Sequence, residues 1–325
     1  MIAPKLKAGD GVRIIAPARS RKLPFISDDI KKDALQNLEK LGLSVSFGKH
    51  IDEVDEFYST SVEHRLEDLH DAFADKNVKA ILTVIGGFNS NQLLQYIDYK
   101  LIKKNPKILC GYSDITALQH AIYKETGLVT YSGPHYFTFG RPPFYDYTVD
   151  YFKKCLFDDK PFEIMPAKLV GEHSSKESIE IEYQNSGFWL FQKGTAKGKI
   201  LGANLCTLNL LQGTEFMPDI RNCILFVEDD GVSDKVTFDR DLQSLMQLPG
   251  AKSIKALVIG RFQKESDISM DILERIIRSK KELKKVPIIA NVDFGHTYPM
   301  ITYPIGGEAS IKIGNESAEL KIIKH

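Results

Sequence analysis

Ile108-Leu109-Cys110-Gly111-Tyr112-Ser113-Asp114-Ile115-Thr116-Ala117-Leu118 reads as a strand, a tight turn and the start of a helix. An apolar run ends at Gly111, a serine follows two residues later, and helical spacing begins at once. Such a turn lifts a serine hydroxyl clear of a sheet and points the following amide N–H groups at the place where an oxyanion forms. Ile115 stands where hydrolase elbows carry a second glycine. Ser113 and Asp114 are also ordinary capping residues, so taken alone the segment reads first as a helix start, and the rest of the chain is what favours a catalytic serine.

The flanks decide the fold class. Val12–Pro17, Leu43–Phe47, Ala80–Ile85 and Leu128–Tyr131 read as strands. Between them, Ile30, Ala34, Leu38 and Leu41 mark one amphipathic helix, closed by Gly42. Val62, Leu66, Leu69 and Phe73 mark a second, opened by a Thr60/Glu63 capping box. Asn89 to Ile97 reads as a short helix. Strands alternating with helices predict an α/β fold with a parallel sheet and helices on both faces. Ligands then sit beyond the carboxyl ends of the strands, where Gly86-Gly87 and Ser113 both fall.

We expect this first domain over residues 1–140. Residues 141–195 change character, with Arg141-Pro142-Pro143 and a charged stretch from His173 to Glu180, and read as a connecting region. A β-rich α/β domain follows over 196–325. Its strands include Asn222–Val227, Ala256–Gly260 and Val286–Ile289, and a hairpin closes around Gly314-Asn315.

Composition narrows the function. Lys+Arg and Asp+Glu both number 43, so there is no basic excess for a nucleic-acid partner. No apolar run approaches the ~18 residues of a membrane span, and the N-terminus lacks the apolar core of a signal peptide. The 4 cysteines show no Cys-x-x-Cys spacing and read as reduced thiols, which places the protein in the cytoplasm. His64 and His70 lie six apart, off one helical face, and no metal-binding spacing is present, so neither metal nor cofactor is expected.

A serine nucleophile needs a base, and the base an orienting carboxylate. Glu228 ends the apolar strand Cys223–Val227, where a carboxylate projects from a sheet end into a cleft. His296 stands in a tight loop between Gly295 and Pro299. On local sequence alone His296 reads first as a surface histidine, whereas a solvated strand end suits Asp229 and Asp230 better than Glu228. The order Ser, Glu, His is that of α/β-hydrolases.

Six blocks carry a resemblance. They are Ile85–Asn91, Gly111–Thr116, Thr130–Pro134, Gly202–Leu205, Leu225–Asp229 and Asn291–Thr297. In this order they resemble the LD-carboxypeptidase and microcin C self-immunity family of serine peptidases, nearly end to end. The resemblance implies a flavodoxin-like N-terminal domain, a β-rich C-terminal domain and a homodimer. It implies Ser113 as nucleophile, His296 as base and Glu228 as its orienter. The amides of Gly87 and Asp114 would form the oxyanion hole, and Asn204 would hold the substrate's terminal carboxylate. Ala203 departs from the family's glycine-glycine-asparagine. Its methyl narrows the approach to the backbone there.

Two subgroups follow from the resemblance. One trims D-alanine from the murein tetrapeptide of recycled cell wall. The other cleaves an acyl link in aminoacyl-nucleotide antibiotics. Gly187-Phe188-Trp189 together with Gly202–Leu208 looks more like the second, with Trp189 stacking on the base. Taken by itself, Trp189, the only tryptophan, reads equally as a packing anchor. Two further readings stand beside these. One is a non-catalytic binder of a small ligand in the same cleft. The other is a nucleotide enzyme using Gly86-Gly87, which lacks both Gly-x-Gly-x-x-Gly and a Walker lysine.

Overall fold

The computed structural model describes residues 1–141, 145–173 and 180–325. Pro142-Pro143 and the charged stretch 174–179 lie outside the described residues. In chain order the strands are β1 Gly11–Ile15, β2 Ser44–Phe47, β3 Val78–Thr83, β4 Ile108–Gly111, β5 Thr130–Ser132, β6 Phe162–Glu163, β7 Leu169–His173 and β8 Glu180–Gln184. They continue with β9 Trp189–Gln192, β10 Gly194–Asn204, β11 Cys223–Glu228, β12 Ala256–Gly260, β13 Ile288–Val292, β14 Tyr303–Ile305, β15 Glu308–Ile313 and β16 Ala318–Lys324. The helices are α1 Asp28–Lys40, α2 Val62–Ala74, α3 Tyr99–Lys104, α4 Thr116–Thr126, α5 Tyr145–Leu156, α6 Leu205–Asn209, α7 Lys235–Met246 and α8 Met270–Ser279.

Two larger sheets organise the chain. The first runs β14-β5-β4-β3-β1-β2, parallel except for β14. The second runs β6-β16-β15-β10-β11-β12-β13-β9. Its centre, β10 to β13, is parallel, and its outer strands are antiparallel. Strands buried on both faces need continuous apolar runs, and β4, β11, β12 and β13 are buried at every position. The expected terminal hairpin is β15–β16. The short helix near Asn89 is a 3₁₀ helix, Ser90–Tyr96.

Segments in the 141–195 stretch supply both edges of the second sheet, β6 at one end and β9 at the other. The expected Thr60 cap is displaced by one residue. Ser61 caps α2 by accepting from the His64 amide, because the Thr60 hydroxyl donates to Glu53 instead.

Two hydrogen bonds tie the elbow helix to the second sheet. The Gly202 amide donates to His120 Nε2 at 3.1 Å, and the Asn204 amide donates to Thr116 Oγ1 at 3.2 Å. The C-terminal end of β10 is thereby fixed against the N-terminal half of α4. β14, from the C-terminal stretch, completes the edge of the first sheet beside β5. The carboxyl ends of β4, β11 and β13 thus serve one site.

Candidate active site

Ser113 follows β4 with φ 61°, the left-handed region that non-glycine residues rarely occupy. Holding it there costs about 1–3 kcal/mol, a cost the surrounding packing offsets. Neither Ser113 nor Asp114 caps α4 with its side chain. The Ser113 hydroxyl lies 3.0 Å from His296 Nε2, and the Asp114 carboxylate accepts from the Ser90 amide at 2.9 Å.

His296 Nδ1 lies 2.7 Å from Glu228 Oε2. A carboxylate only accepts, so Nδ1 carries the hydrogen and the Nε2 lone pair faces the Ser113 hydroxyl. In this tautomer the imidazole can take the hydroxyl proton as Oγ attacks a carbonyl. Burial works against a charged His296. The nearby Glu228 carboxylate, with Asp230 and Asp229, outweighs it and raises the imidazole above its ordinary value.

Glu228 is 2% exposed, and two glycines make its slot. A Cβ at Gly260 would stand 2.8 Å from the Glu228 Cβ, and one at Gly295 would stand 2.8 Å from Oε2. The His296 loop is anchored by Asp293, which is wholly buried and ion-paired with Arg261. Asp293 also accepts from Tyr147 Oη at 3.0 Å and from the Ala167 amide at 2.8 Å. The Tyr112 ring stands edge-on to His296, with centroids 5.3 Å apart.

The loop after β3 reaches the same place. A Cβ built on Gly86 would fall 2.9 Å from Ser113 Oγ. The Gly86 carbonyl accepts from the Arg19 amide, and Gly87 lies against Ala18 and Arg19. Ser90 fastens this loop to the elbow, because its hydroxyl also donates to the Asp114 carbonyl at 2.7 Å. Sequence reasoning missed Ser90, although it falls within the Ile85–Asn91 block. The arrangement aligns the Gly87 loop with the start of α4, where the helix dipole favours negative charge.

Asn204 is buried and largely occupied. Its Oδ1 accepts from the Thr207 amide and hydroxyl, capping α6, and its Nδ2 donates to Asp229 Oδ1 at 3.2 Å. Burial, then the charges of Glu228 and Asp230, push the Asp229 carboxyl up to about 7. Ala203 holds φ 155°, where glycine is favoured. Trp189, half-buried in β9, pairs with Ala290 of β13, and its Nε1 donates to Ser186 Oγ. Trp189 lines a cavity of about 390 Å³ with Arg261, Lys264, Asn291 and the chain from Tyr183 to Ser186, and the described residues lining it do not include Ser113, Glu228 or His296. Among the described residues, no helix is long and apolar enough to cross a membrane.

Comparison with known proteins agrees with this architecture. Residues 12–133 match the LD-carboxypeptidase N-terminal domain, and 197–311 match the LD-carboxypeptidase C-terminal domain. YocD of Bacillus subtilis, which bears a carboxypeptidase name, is 51% identical over 100% of both chains. The microcin C7 self-immunity protein MccF of Escherichia coli is 31% identical over 87% of this chain and 85% of its own length. The murein tetrapeptide carboxypeptidase of Pseudomonas aeruginosa is 28% identical over 93% and 92%. The crystal structure of an MccF-like protein from Bacillus anthracis superposes with a TM-score of 0.96 at 46% identity, covering 100% of both chains. MccF in complex with glutamyl sulfamoyl guanosine superposes at 0.89 with 27% identity, over 99% of this chain and 98% of that one. With both domains matched and a half-identical relative along the whole length, the chain belongs to the LD-carboxypeptidase family and is a serine carboxypeptidase.

Proposed function

We propose that the enzyme cleaves a C-terminal amide or acyl link with Ser113 as nucleophile, His296 as general base and Glu228 as the orienter of His296. The observation that carries this is the relay from Ser113 Oγ to His296 Nε2 and from His296 Nδ1 to Glu228, at 3.0 and 2.7 Å. The carbonyl carbon bonds to Oγ as the Oγ proton passes to Nε2. The tetrahedral oxyanion lies against the amides of Gly87 and Asp114. Collapse expels the leaving group, which takes the proton from Nε2. Water then attacks the acyl-enzyme by the same route in reverse. Asn204 keeps one Nδ2 hydrogen for the substrate's terminal carboxylate.

For the substrate we infer an aminoacyl nucleotide. The support is Trp189, which lines a cavity together with Asn291 of β13, the strand that leads to the His296 loop. A relative of the same fold binds glutamyl sulfamoyl guanosine. A base stacked on an aromatic ring is worth about 1–3 kcal/mol. Trp189→Ala should therefore lower kcat/KM for an aminoacyl-sulfamoyl nucleoside by about 5- to 150-fold. Cleavage of a murein tetrapeptide, which has no base to stack, should hold nearly constant. Paired kinetics on the two substrates check this. Equal losses on both, or faster cleavage of the tetrapeptide by the unaltered enzyme, would put murein recycling first.

A further inference from the structure

A second cluster of chemistry-bearing side chains lies outside the active site, between β2 and α2. His50 and Glu53 come from the loop after β2, and His64 from the first turn of α2. Glu53 spans both rings. Its Oε1 lies 2.7 Å from His50 Nδ1, and its Oε2 lies 2.6 Å from His64 Nδ1. One ligand atom from each of the three residues falls within 4.8 Å of the others. Linear spacing hides this set, because the chain turns back between the loop and the helix.

We propose that His50, Glu53 and His64 form a binding site for a divalent transition-metal ion of the zinc class, clamping the β2–α2 loop to α2. Two imidazole nitrogens and one carboxylate oxygen are a preferred donor set for zinc, with the fourth position left to solvent. The support around the ligands is already built. His50 Nε2 lies 3.1 Å from Glu67 Oε2, the carboxylate–histidine pairing that decides which ring nitrogen faces a metal. Lys49 Nζ holds Glu67 at 2.8 Å. The buried Asp68 accepts from the amides of Lys49 and His50, so the backbone that carries the first ligand is pinned. Once the metal has displaced the Nδ1 hydrogens that now point at Glu53, the carboxylates of Glu53, Glu67 and Asp68 outweigh the charge of Lys49, a setting that favours a cation.

Binding requires one adjustment. The two rings are stacked, with centroids 3.9 Å apart and planes at 16°, and both Nδ1 atoms donate to Glu53, so the ion must replace these two hydrogens and the nitrogens must turn to converge on it. Zinc at its usual bond lengths needs donor atoms about 3.3 Å apart with lone pairs converging. His64 can supply the motion, because its side chain is 44% exposed whereas that of His50 is 7% exposed. The site also bears on the catalytic half of the molecule. Thr60, whose hydroxyl donates to Glu53 at 2.7 Å, lines a cavity of about 520 Å³ whose lining also includes Phe88, next to Gly87.

The test uses the full chain stripped with a chelator. Zn²⁺ is titrated by calorimetry and Co²⁺ by visible absorption. The proposal expects one saturable site per chain, the intense visible bands of a four-coordinate cobalt ion, and a zinc-dependent rise in Tm. His64→Ala, at a half-exposed position that should fold normally, should lose the cobalt bands and the Tm rise. Glu67→Gln should weaken binding about 10- to 100-fold while keeping the bands, the effect expected of an orienting carboxylate. No saturable binding in the unaltered chain would overturn the proposal. So would binding undiminished in His64→Ala, which would put the ion elsewhere, for example on His296.

Discussion

Ser113 Oγ lies 3.0 Å from His296 Nε2, although the two residues stand 183 positions apart in the chain. The contact depends on two loops from different sheets. A strained turn holds Ser113, and a loop anchored by the buried Asp293–Arg261 pair holds His296. The amides of Gly202 and Asn204 fasten the second sheet to α4, so the distance is set by the fold and not by chance contact of side chains.

Gly86 tests the tightness of the nucleophile's seat. An added Cβ would fall 2.8 Å from the Ser113 Cβ and 2.9 Å from its Oγ, closer than real contacts allow. Gly86→Ala should push the hydroxyl out of line with His296 and lower kcat by about 100-fold or more. Far-ultraviolet circular dichroism should stay native. Activity within a factor of two of the unaltered enzyme would show that the turn relaxes freely.

Asp230 tests the electrostatics of the base. The acid limb of kcat/KM should follow deprotonation of His296, with activity appearing as pH rises through a value above the ordinary histidine range. Asp230 is one of the anions that raise it. Asp230→Asn removes that charge, favours the neutral imidazole and should move the limb to lower pH. A pH profile that stays put, or moves upward, contradicts the assignment of the limb to His296.

His120 links the two sheets and titrates against folding. Its Nδ1 hydrogen goes to the Thr116 carbonyl at 2.9 Å, and its Nε2 accepts from Gly202. Burial lowers its pKa from 6.5 to about 4, with the Thr116 carbonyl opposing. The unfolded chain therefore binds the proton more readily. The stabilisation is complete above about pH 6.5 and is lost as pH falls toward 4, on the order of 3 kcal/mol over the window. Urea unfolding at pH 7 and pH 5 should show His120→Gln less stable at pH 7 by about 1–3 kcal/mol, with a smaller gap at pH 5. A gap that is constant or widens contradicts the neutral-histidine link.

Much of this was legible in the chain, for identifiable reasons. The buried strands β4, β11, β12 and β13 are continuous apolar runs, so their ends, and with them Ser113 and Glu228, could be placed by reading alone. Gly295 and Pro299 marked the tight loop of His296. What escaped depends on pairing at a distance. Ser90 reads as an ordinary loop serine until Asp114, 24 positions away, takes both its amide and its hydroxyl. The choice of Ser61 over Thr60 as a cap turns on Glu53 claiming the threonine. Asn204 gave no sign that Thr207 and Asp229 occupy most of its side chain. The edges of the second sheet come from β6 and β9, at 2 and 4 residues too short to be assigned to it.

Turnover by purified Ser113→Ala protein is the most direct test of the central claim. Removing a triad nucleophile in other serine enzymes costs up to about a million-fold in kcat. The hydroxyl makes its one described hydrogen bond to His296, so the variant should keep the Tm of the unaltered enzyme. The account predicts a folded protein whose hydrolysis of an aminoacyl-sulfamoyl nucleoside falls by at least about 10,000-fold. A folded Ser113→Ala enzyme that still turns over within about tenfold of the unaltered one would contradict it.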